Sequence, residues 1–508
     1  MSGPAHRVQS AVVEYGYPQG HLGHLSSEEE EALKNFKVMC AEKGYYSAGL
    51  EGGAASHEDA TLLRFLRARR FIVPEAYNQF QETEDWRKAN EIDKLYQTID
   101  LEHYEETRRL YPQWTGRRDR RGIPVYVFEV KHLNSKTMAA YEKSAVKTHT
   151  QAKSDGKTSP KLLRLFALYE NLIRFTMPLC TQLTDREHPR TPITQSNNIV
   201  DISGVGLKQF WNLRSHMQDA STLATAHYPE TLDRIFIIGA PAFFPTVWGW
   251  IKKWFDPITT SKIFIISSHD MKKTLESFID PKNIPKKYGG ELEFHFGDKP
   301  VLDPYLKDVL KWEGDRSDFP DGPMYWEKSG KEEIKAVAVG TMNEGGNGRH
   351  EDVCVAKRVL PEEPETMVEP AIVAAQNGKA EVPAQLRAEL LTVPMEVDLP
   401  SAAADSQMDG AEAVPPVPAP GVTESKEVPI VPEPAPEPVK QEPEPSKVVQ
   451  EGEVIPATRP EPQIFHTAQE VPGLKDLGLD EKRAEGLING DASHESRARA
   501  LLDPGAKA

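Results

Sequence analysis

The chain is poor in cysteine. Cys40, Cys180 and Cys354 are spread over 508 residues, a spacing that gives neither a disulfide framework nor the paired clusters of a structural zinc site. Nucleotide-binding and hydrolase fingerprints are absent as well: no GxGxxG follows a strand, and there is no P-loop and no GxSxG. "SSHD" at 267–270 offers serine, histidine and aspartate, but neighbours in an extended run point to opposite faces and do not form a catalytic group. No enzymatic activity, metal or cofactor is therefore expected. The opening residues, "MSGPAHRVQSAVVEYGYPQGHL", lack the apolar core of a signal peptide; with so little cysteine, a cytosolic, reducing compartment is expected. The most apolar stretch, Ile235 to Ile251, is shorter than the ~20 residues of a spanning helix. It also holds Pro241 and Pro245, which break helices.

Aromatic residues give out towards the end. Beyond Lys331 the only Phe, Trp or Tyr is Phe465, and about half of the 41 prolines follow residue 350. From Lys331 onward 17 Lys and Arg face 33 Asp and Glu; the whole chain has 61 and 77, which leaves 44 of each in residues 1–330. The net charge of -16 thus belongs to the last third. Residues 331–508 are expected to be a disordered, acidic, Pro-rich tail that cannot bury enough apolar area to offset chain entropy, with one short helix near 479–501. The remainder divides into an extension (1–25), a helical lobe (26–100), an α/β domain (101–300) and a C-terminal extension packing on that domain (301–330). Its charge balance leaves no basic excess, and no nucleic-acid partner is expected.

Periodicity supplies the fold class. "SSEEEEALKNFKVMCAEKG" opens with Ser27 and Glu30 in capping-box spacing and continues at helical spacing. "SHEDATLLRFLRARRF" and "VPEAYNQFQETEDWRKAN" predict two more amphipathic helices. Short β-rich runs follow: "IPVYVFEV", "NNIVDISG", "RIFIIGAP", "KIFIIS" and "ELEFHF". Between them "KLLRLFALYENLIRF", "KQFWNLRSHMQDASTLATAHY" and "MKKTLESFI" read as helices. Strands alternating with helices predict an α/β domain with a mixed, largely parallel sheet. In the second of these helices Phe210, Leu213, Met217, Ala220, Ala224 and His227 form one stripe, which makes His227 a core-edge histidine. "KTHTQAKSDGKTSPK" and "CTQLTDREHPRTPITQ" read as surface loops.

A few polar residues fall in odd places. Leu62, Phe65, Leu66 and Arg69 recur at i, i+3, i+4, i+7, which puts Arg69 on an apolar face, with Arg67 and Arg70 elsewhere. An inward arginine needs an anion, either a carboxylate or a phosphate that matches its fork. Thr259 and Lys262 in "DPITTSK" are three apart, either a shared hydroxyl–ammonium face or an ordinary turn before a strand. Glu230 follows Tyr228-Pro229, either solvated or paired with Arg69. The stretch Phe243, Phe244, Val247, Trp248, Trp250, Ile251, Lys252, Lys253, Trp254 and Phe255 sets two lysines among aromatic residues, as a core segment, a spanning helix or a movable apolar surface would.

"GHLGHLSSEEEEAL", "LLRFLRARRF", "YPQW", "RRGIPVYV", "HYPETLDRIFIIGAP", "FDPITTSKIFII" and "NIPKKYGGEL", in this order over residues 20–295, resemble the CRAL-TRIO lipid-binding family, and within it the yeast-type phosphatidylinositol/phosphatidylcholine transfer proteins. The resemblance implies a helical N-terminal lobe on an α/β lobe whose sheet floors a lipid pocket. The aromatic stretch would then be a gate, apolar when closed and membrane-contacting when open. It implies a phosphatidylinositol headgroup site of Arg69, Glu230, Thr259 and Lys262. For a second lipid, a phosphatidylcholine, a sterol or another, it implies Tyr126, Tyr169, Ser196, Asn198 and Thr115. Asn198 stands where the family has a hydroxyl, and Thr115, beside Trp114, where it has a tyrosine. The implied protein is a monomer in the cytoplasm that touches Golgi, endosomal or other membranes transiently. It exchanges one bound phospholipid and presents phosphatidylinositol to lipid kinases. The alternatives are a lipid-loaded adaptor acting through its tail and a carrier of a non-phospholipid hydrophobe.

Overall fold

The computed structural model describes residues 16–49, 54–252, 257–329, 333–342 and 348–357. Residues 1–15 and 358–508, with most of the expected tail and its short helix, lie outside the described residues.

Three helices open the chain: α1 (Ser27–Glu42), α2 (Asp59–Ala68) and α3 (Val73–Ala89). They share a core in which Phe80 meets Phe36 and Phe65 edge-on at 5.7 and 5.1 Å. The capping box of α1 lies one residue earlier than expected. Ser26, with extended backbone (φ -73, ψ 167), accepts from the Glu29 N–H, and the Glu29 carboxylate accepts from the Ser26 N–H. Two serines before a run of glutamates fit either register, and the extended conformation at Ser26 decides it.

After α4 (Ile92–Thr98) and α5 (Leu101–Arg108) comes a five-stranded sheet. Its strands β1 (Gln113–Arg118), β2 (Pro124–Glu129), β3 (Ser196–Asp201), β4 (Leu232–Ile238) and β5 (Ile263–Ile266) are neighbours in that order. β1 and β2 are antiparallel and the others parallel. The chain between and after the strands forms α6 (Ser135–Ala145), α7 (Pro160–Asn171), α8 (Met177–Gln182), α9 (Leu207–His227), α10 (Phe244–Ile251), α11 (Pro257–Ser261) and α12 (Met271–Phe278). A π-turn at Leu172–Thr176 joins α7 to α8.

The two faces of this sheet differ. Val127, Ile199, Phe236, Ile238, Phe264 and Ile266 are sealed beneath α12 and residues 279–296. "ELEFHF" belongs to that cover and is not a strand. Leu292 and Phe294 do alternate into the core, but the backbone binds the preceding turn, with Glu291 N–H on Pro281 O and Leu292 N–H on Ile284 O. On the opposite face Ile235, Ile237 and Ile263 meet α10, whereas Val200, on the central strand, and Ile265 are only half-buried. The apolar stripe of α9 over this face is also half-buried at Phe210, Met217, Ala220 and Ala224.

The largest correction lies past residue 300. α13 (Pro304–Val309) leads into β6 (Leu310–Trp312), and β7 (Met324–Lys328), β8 (Glu333–Thr341) and β9 (Gly348–Lys357) complete an antiparallel sheet in the order β6-β9-β8-β7. The expected boundary at 330 falls between two paired strands, and ordered chain reaches Lys357. Composition concealed this. β8 and β9 carry small apolar residues (Ala336, Val337, Ala338, Val339, Cys354 and Ala356) and no Phe, Tyr or Trp. The aromatics they pack on come from earlier in the chain: Phe175 and Phe319 on one side, Tyr96 and Tyr104 on the other. Trp326 of β7 donates its indole N–H to Phe175 O at 3.0 Å and lies parallel to that ring at 5.7 Å. Of the two expected surface loops, the second is pinned inward by the buried Arg186, whose guanidinium binds the Tyr17 hydroxyl at 2.7 Å and Pro189 O at 3.0 Å.

Two outcomes are expected. A chain ended at residue 330 loses β8 and β9 and uncovers at least six buried apolar side chains. By thermal unfolding it should be destabilised by more than ~5 kcal/mol relative to a chain ended at 360, and equal midpoints would remove the second sheet from the folded core. His227 stacks on Trp86 at 4.3 Å and meets the Thr83 hydroxyl at 3.3 Å. Burial, then the Arg87 charge, push its pKa down to about 3. The folded ring stays neutral while the unfolded one protonates below its ordinary value of 6.5. Its contribution is therefore complete above pH 6.5 and is lost as pH falls towards 3, at about 1.4 kcal/mol per pH unit. Between pH 7 and pH 5, urea unfolding should show the wild type losing about 2 kcal/mol more than His227→Phe.

Candidate functional site

The site begins where α9 ends, at Tyr228-Pro229-Glu230. The buried Tyr228 donates its hydroxyl to Glu170 Oε1 at 2.6 Å. Glu170 has no exposed side chain and also takes Arg87 at 2.7 and 3.0 Å and Arg174 at 2.6 Å. Burial raises the Glu170 carboxyl, but the two guanidinium groups more than offset it and hold the pKa at about 2. With Tyr228 fixed, Glu230 adopts a left-handed backbone (φ 56) that non-glycine residues rarely take. Its carboxylate lies 2.9 Å from Lys262 Nζ, in a pair whose side chains are 7% and 2% exposed. The Lys262 ammonium also donates to Leu232 O at 2.9 Å, and its backbone N–H to Thr259 O at 3.1 Å. Glu230, Thr259 and Lys262 thus stand together at the start of β5.

Arg69 is placed differently from the sequence reading. α2 ends at Ala68, so Arg69 is its C-cap with non-helical backbone (φ -118, ψ 25), half-buried, and its Nη1 donates to Ala68 O at 3.1 Å. Among the described residues it pairs with no carboxylate. The buried arginines of this helix are Arg64 and Arg67, 4% and 1% exposed; Arg67 had been assigned to another face. The helical period used for Arg69 stops one residue before it. Leu62, Leu63, Phe65 and Leu66 line one side of α2, so the burial of Arg64 and Arg67 comes from packing of other elements and carries no periodic signal in the sequence.

Four of the five second-ligand residues share the open face of the sheet. Tyr126 and Asn198 are register partners on β2 and β3. The Tyr126 hydroxyl donates to Thr176 Oγ1 at 3.1 Å, Asn198 Nδ2 to Ser196 Oγ at 3.2 Å, and Ser196 Oγ to Thr231 O at 3.1 Å. Tyr169 packs on Tyr228 at 5.1 Å and Phe166 at 5.4 Å. It is half-buried, and desolvation pushes its phenol up to about 12. Thr115 does not join this group. It is fully buried, and its hydroxyl donates to Val125 O at 3.0 Å. Trp114 is the β1 residue opposite Tyr126 and shares its apolar cluster. The β1 irregularity between Trp114 and Arg118 hides this register from the sequence.

The aromatic stretch lies down on the sheet. At Gly239 (φ 66) an added Cβ would sit 1.8 Å from Ser203 Oγ, so only glycine allows the tight exit from β4 into α10. Phe244 and Val247 are buried against Ile235, Ile237 and Ile263, with Phe243, Trp248 and Ile251 partly buried beside them. Lys252 is exposed. The Trp250 side chain and residues Lys253, Trp254 and Phe255 lie outside the described residues. Among the described residues no helix is long and apolar enough to cross a membrane, and no His, Cys, Asp and Glu group could hold a metal ion.

Comparison with known proteins agrees with this geometry. Residues 108–290 match the CRAL/TRIO domain and residues 23–82 the CRAL/TRIO N-terminal domain. The SEC14 cytosolic factor of Kluyveromyces lactis is 30% identical over 310 residues, 60% of this chain and 92% of that protein. The SEC14 cytosolic factor of Yarrowia lipolytica is 32% identical over 294 residues, 57% of this chain and 54% of that longer protein. An Arabidopsis thaliana protein named phosphatidylinositol/phosphatidylcholine transfer protein SFH7 is 32% identical over 242 residues, 46% of this chain and 40% of that one. With its helical lobe, its largely parallel sheet and both matched domains in place, the chain belongs to the CRAL-TRIO family and is a relative of the SEC14 cytosolic factors.

Proposed function

We propose that this chain binds one phospholipid, phosphatidylinositol in the first place, and exchanges it between membranes. The observation that carries the reading is the half-buried apolar face of a central sheet with a desolvated Lys262–Glu230 pair at its edge. Acyl chains lie between Val200, Ile265 and the α9 stripe, and the inositol phosphate lies at Lys262, Thr259 and Glu230, with Arg69 reaching from the N-terminal lobe. An ammonium at the end of an apolar groove suits an anionic headgroup, and the adjoining carboxylate suits inositol hydroxyls.

α10 acts as the gate. Its aromatic face covers the pocket when closed and enters the interfacial region when open, with Lys252 directed to anionic lipid. No covalent step is involved. The protein works as a monomer in the cytoplasm, touches Golgi or endosomal membranes transiently, and presents phosphatidylinositol to lipid kinases. Tyr126, Tyr169, Ser196 and Asn198, with Trp114, receive a second lipid.

Mass spectrometry of lipids co-purified with the full chain tests this. Wild type should carry phosphatidylinositol, and Lys262→Ala about ten-fold less or lower, the size of one charge-assisted hydrogen bond. Circular dichroism of both proteins separates a lost site from a lost fold. A sterol or other neutral hydrophobe retained equally by both proteins would point to a carrier of non-phospholipid cargo. A chain ended at 360 that folds but loses its cellular function while still exchanging lipid would point to an adaptor.

A further inference from the structure

α6 and the loop after it carry one sign of charge in excess. Residues 135–161 hold six lysines and no arginine against two acids, Glu142 and Asp155. Lys161 is taken by Glu142 at 2.5 Å. Asp155 turns back on the chain and accepts the Lys157 N–H at 2.9 Å. The other five, Lys136, Lys143, Lys147, Lys153 and Lys157, are all exposed. Among the described residues their ammonium groups form no ion pair. Val146, between Lys143 and Lys147, is 76% exposed. Several exposed lysines elsewhere meet an acid of their own neighbourhood: Lys287 has Glu129 and Asp201 at 2.6 and 2.7 Å, Lys299 has Asp321 at 3.1 Å, and Lys335 has Glu327 and Asp352 at 3.0 Å each.

The loop that carries three of the five is held in place. Residues 146–159 have no regular secondary structure, a length that is uncommon in a compact domain unless the loop has a task. Its backbone and small side chains are pinned along α3 and α4. The Asp100 N–H binds His149 O at 3.0 Å, the Gln151 N–H binds Thr98 Oγ1 at 3.0 Å, and the Lys153 N–H binds Glu91 Oε2 at 2.9 Å. Ser154 Oγ donates to Asn90 Oδ1 at 2.7 Å, and the Trp86 indole N–H to Thr158 Oγ1 at 3.0 Å. Every anchor is a backbone group or a short polar side chain of the loop, and no lysine ammonium is used. The result is a fixed cationic arm.

We propose that this arm is the docking surface for an acidic segment of the chain's own C-terminal part, residues 359–425. That segment has 12 Asp and Glu against Lys379 and Arg387, the opposite of the arm. It also begins within reach. Thr341, at the far end of β8, donates its N–H to Ile99 O at 3.0 Å, beside the Thr98 that holds the loop. Lys357, the last described residue, is paired with Glu333 at the other end of β8. Eight residues of strand set the two points about 26 Å apart. About eight extended residues span that distance, so the acids from Glu369 onward can arrive at the arm. Each exposed ion pair contributes little by itself, but a tethered partner meets the surface at an effective concentration of about millimolar, and several pairs act together. An anionic membrane has the same charge. The arm's anchors lie on α3 and α4 rather than on α10, the element assigned to membrane contact, and this favours the tethered segment. The proposal stands independently of the lipid-exchange reading.

Carbodiimide, which joins lysine to a carboxylate in direct contact, tests it on the full chain. Dilute protein is treated in about 20 mM and about 500 mM sodium chloride, and the links are mapped by mass spectrometry. Lys273, Lys307 and Lys311 are the controls. They are exposed and free of ion pairs among the described residues, and Lys311 lies opposite Val355, close to where the described chain ends. Acids of residues 359–425 should link to the five arm lysines about ten-fold more than to the controls, a preference lost at high salt. In Lys143→Glu/Lys147→Glu/Lys153→Glu, links to the unaltered Lys136 and Lys157 should fall to the control level. All altered side chains are exposed, and circular dichroism checks the fold. Links spread evenly over arm and controls overturn the proposal, as does a preference that survives high salt. A mixture of isotope-labelled and unlabelled chains locates the segment: links that join the two labels assign it to a second copy and overturn docking within one chain. Phosphatidylcholine vesicles containing phosphatidylserine address the rival. Even linking, with vesicle binding that the triple variant loses, makes the arm a membrane contact and overturns the proposal as well.

Discussion

The buried carboxylate of Glu170 is the constraint on which the rest of the site depends. It receives Arg87 from α3, Arg174 from the π-turn and the Tyr228 hydroxyl from the end of α9. One acid thus ties the helical lobe to the α/β lobe and fixes the residue from which the Glu230 turn departs. Removing either guanidinium alone would leave a buried charge poorly matched, which costs more than the intact network contributes. The left-handed backbone at Glu230 persists because the residues on both sides are held, Tyr228 by Glu170 and Thr231 through its hydroxyl on Tyr228 O at 3.0 Å. The geometry at Lys262 is therefore set from a distance, by an acid that need touch no ligand.

The second sheet changes the other end of the pocket. Trp114 and Tyr126 share one apolar cluster with Phe175, Phe319 and the strands β6–β9. A wall that could otherwise face solvent is sealed from outside by residues 310–357. Trp326 of β7 stacks on Phe175 of the π-turn, which also presents the Thr176 hydroxyl to Tyr126. A ligand reaching Tyr126 meets a floor stiffened from behind. In the proposed reading, the fit of a second lipid would depend on strands far along the sequence as well as on the residues that touch it.

The parallel strands and the long helix α9 were legible because each repeats one pattern: continuous β-branched runs for strands covered on both faces, and a single stripe for a helix lying over them. β8 and β9 were not, because their apolar side chains are small and the bulk they pack on lies elsewhere in the chain. A local window measures what a segment brings and misses what it meets. A related limit explains Arg69, assigned by period, and Thr115, assigned by resemblance. Period arguments hold only inside a regular element, and both residues sit where one stops, Arg69 just past the end of α2 and Thr115 in the irregular part of β1. The pairing of Glu230 with Lys262 has no periodic signal, since thirty-two residues separate them, and in the sequence only the resemblance brings them together. Arg64 and Arg67 lie on the polar flank of an amphipathic helix, and their burial is set by other elements that the sequence of α2 does not show.

Two deficits remain in the folded chain, and they differ in kind. The floor of the sheet leaves Val200, Ile265 and the α9 stripe half-buried, an apolar surface without full cover. α2 leaves Arg64 and Arg67 enclosed without an anion. A sterol would cover the first and leave the second, and a soluble anion would do the reverse. In the proposed reading, the acyl chains of a phospholipid would cover the first. The protein then gains stability from its cargo in proportion to how completely it encloses it, which opposes release. The gate resolves that opposition only if it trades one apolar contact for another. In the proposed reading, the aromatic face of α10 would leave the sheet for a membrane interface at little net loss of apolar burial, and the lipid would exchange while the cover is off. That reading sets exchange at the bilayer, where opening would be nearly neutral, and suppresses it in water, where the same opening would expose Phe244, Val247 and the pocket floor together.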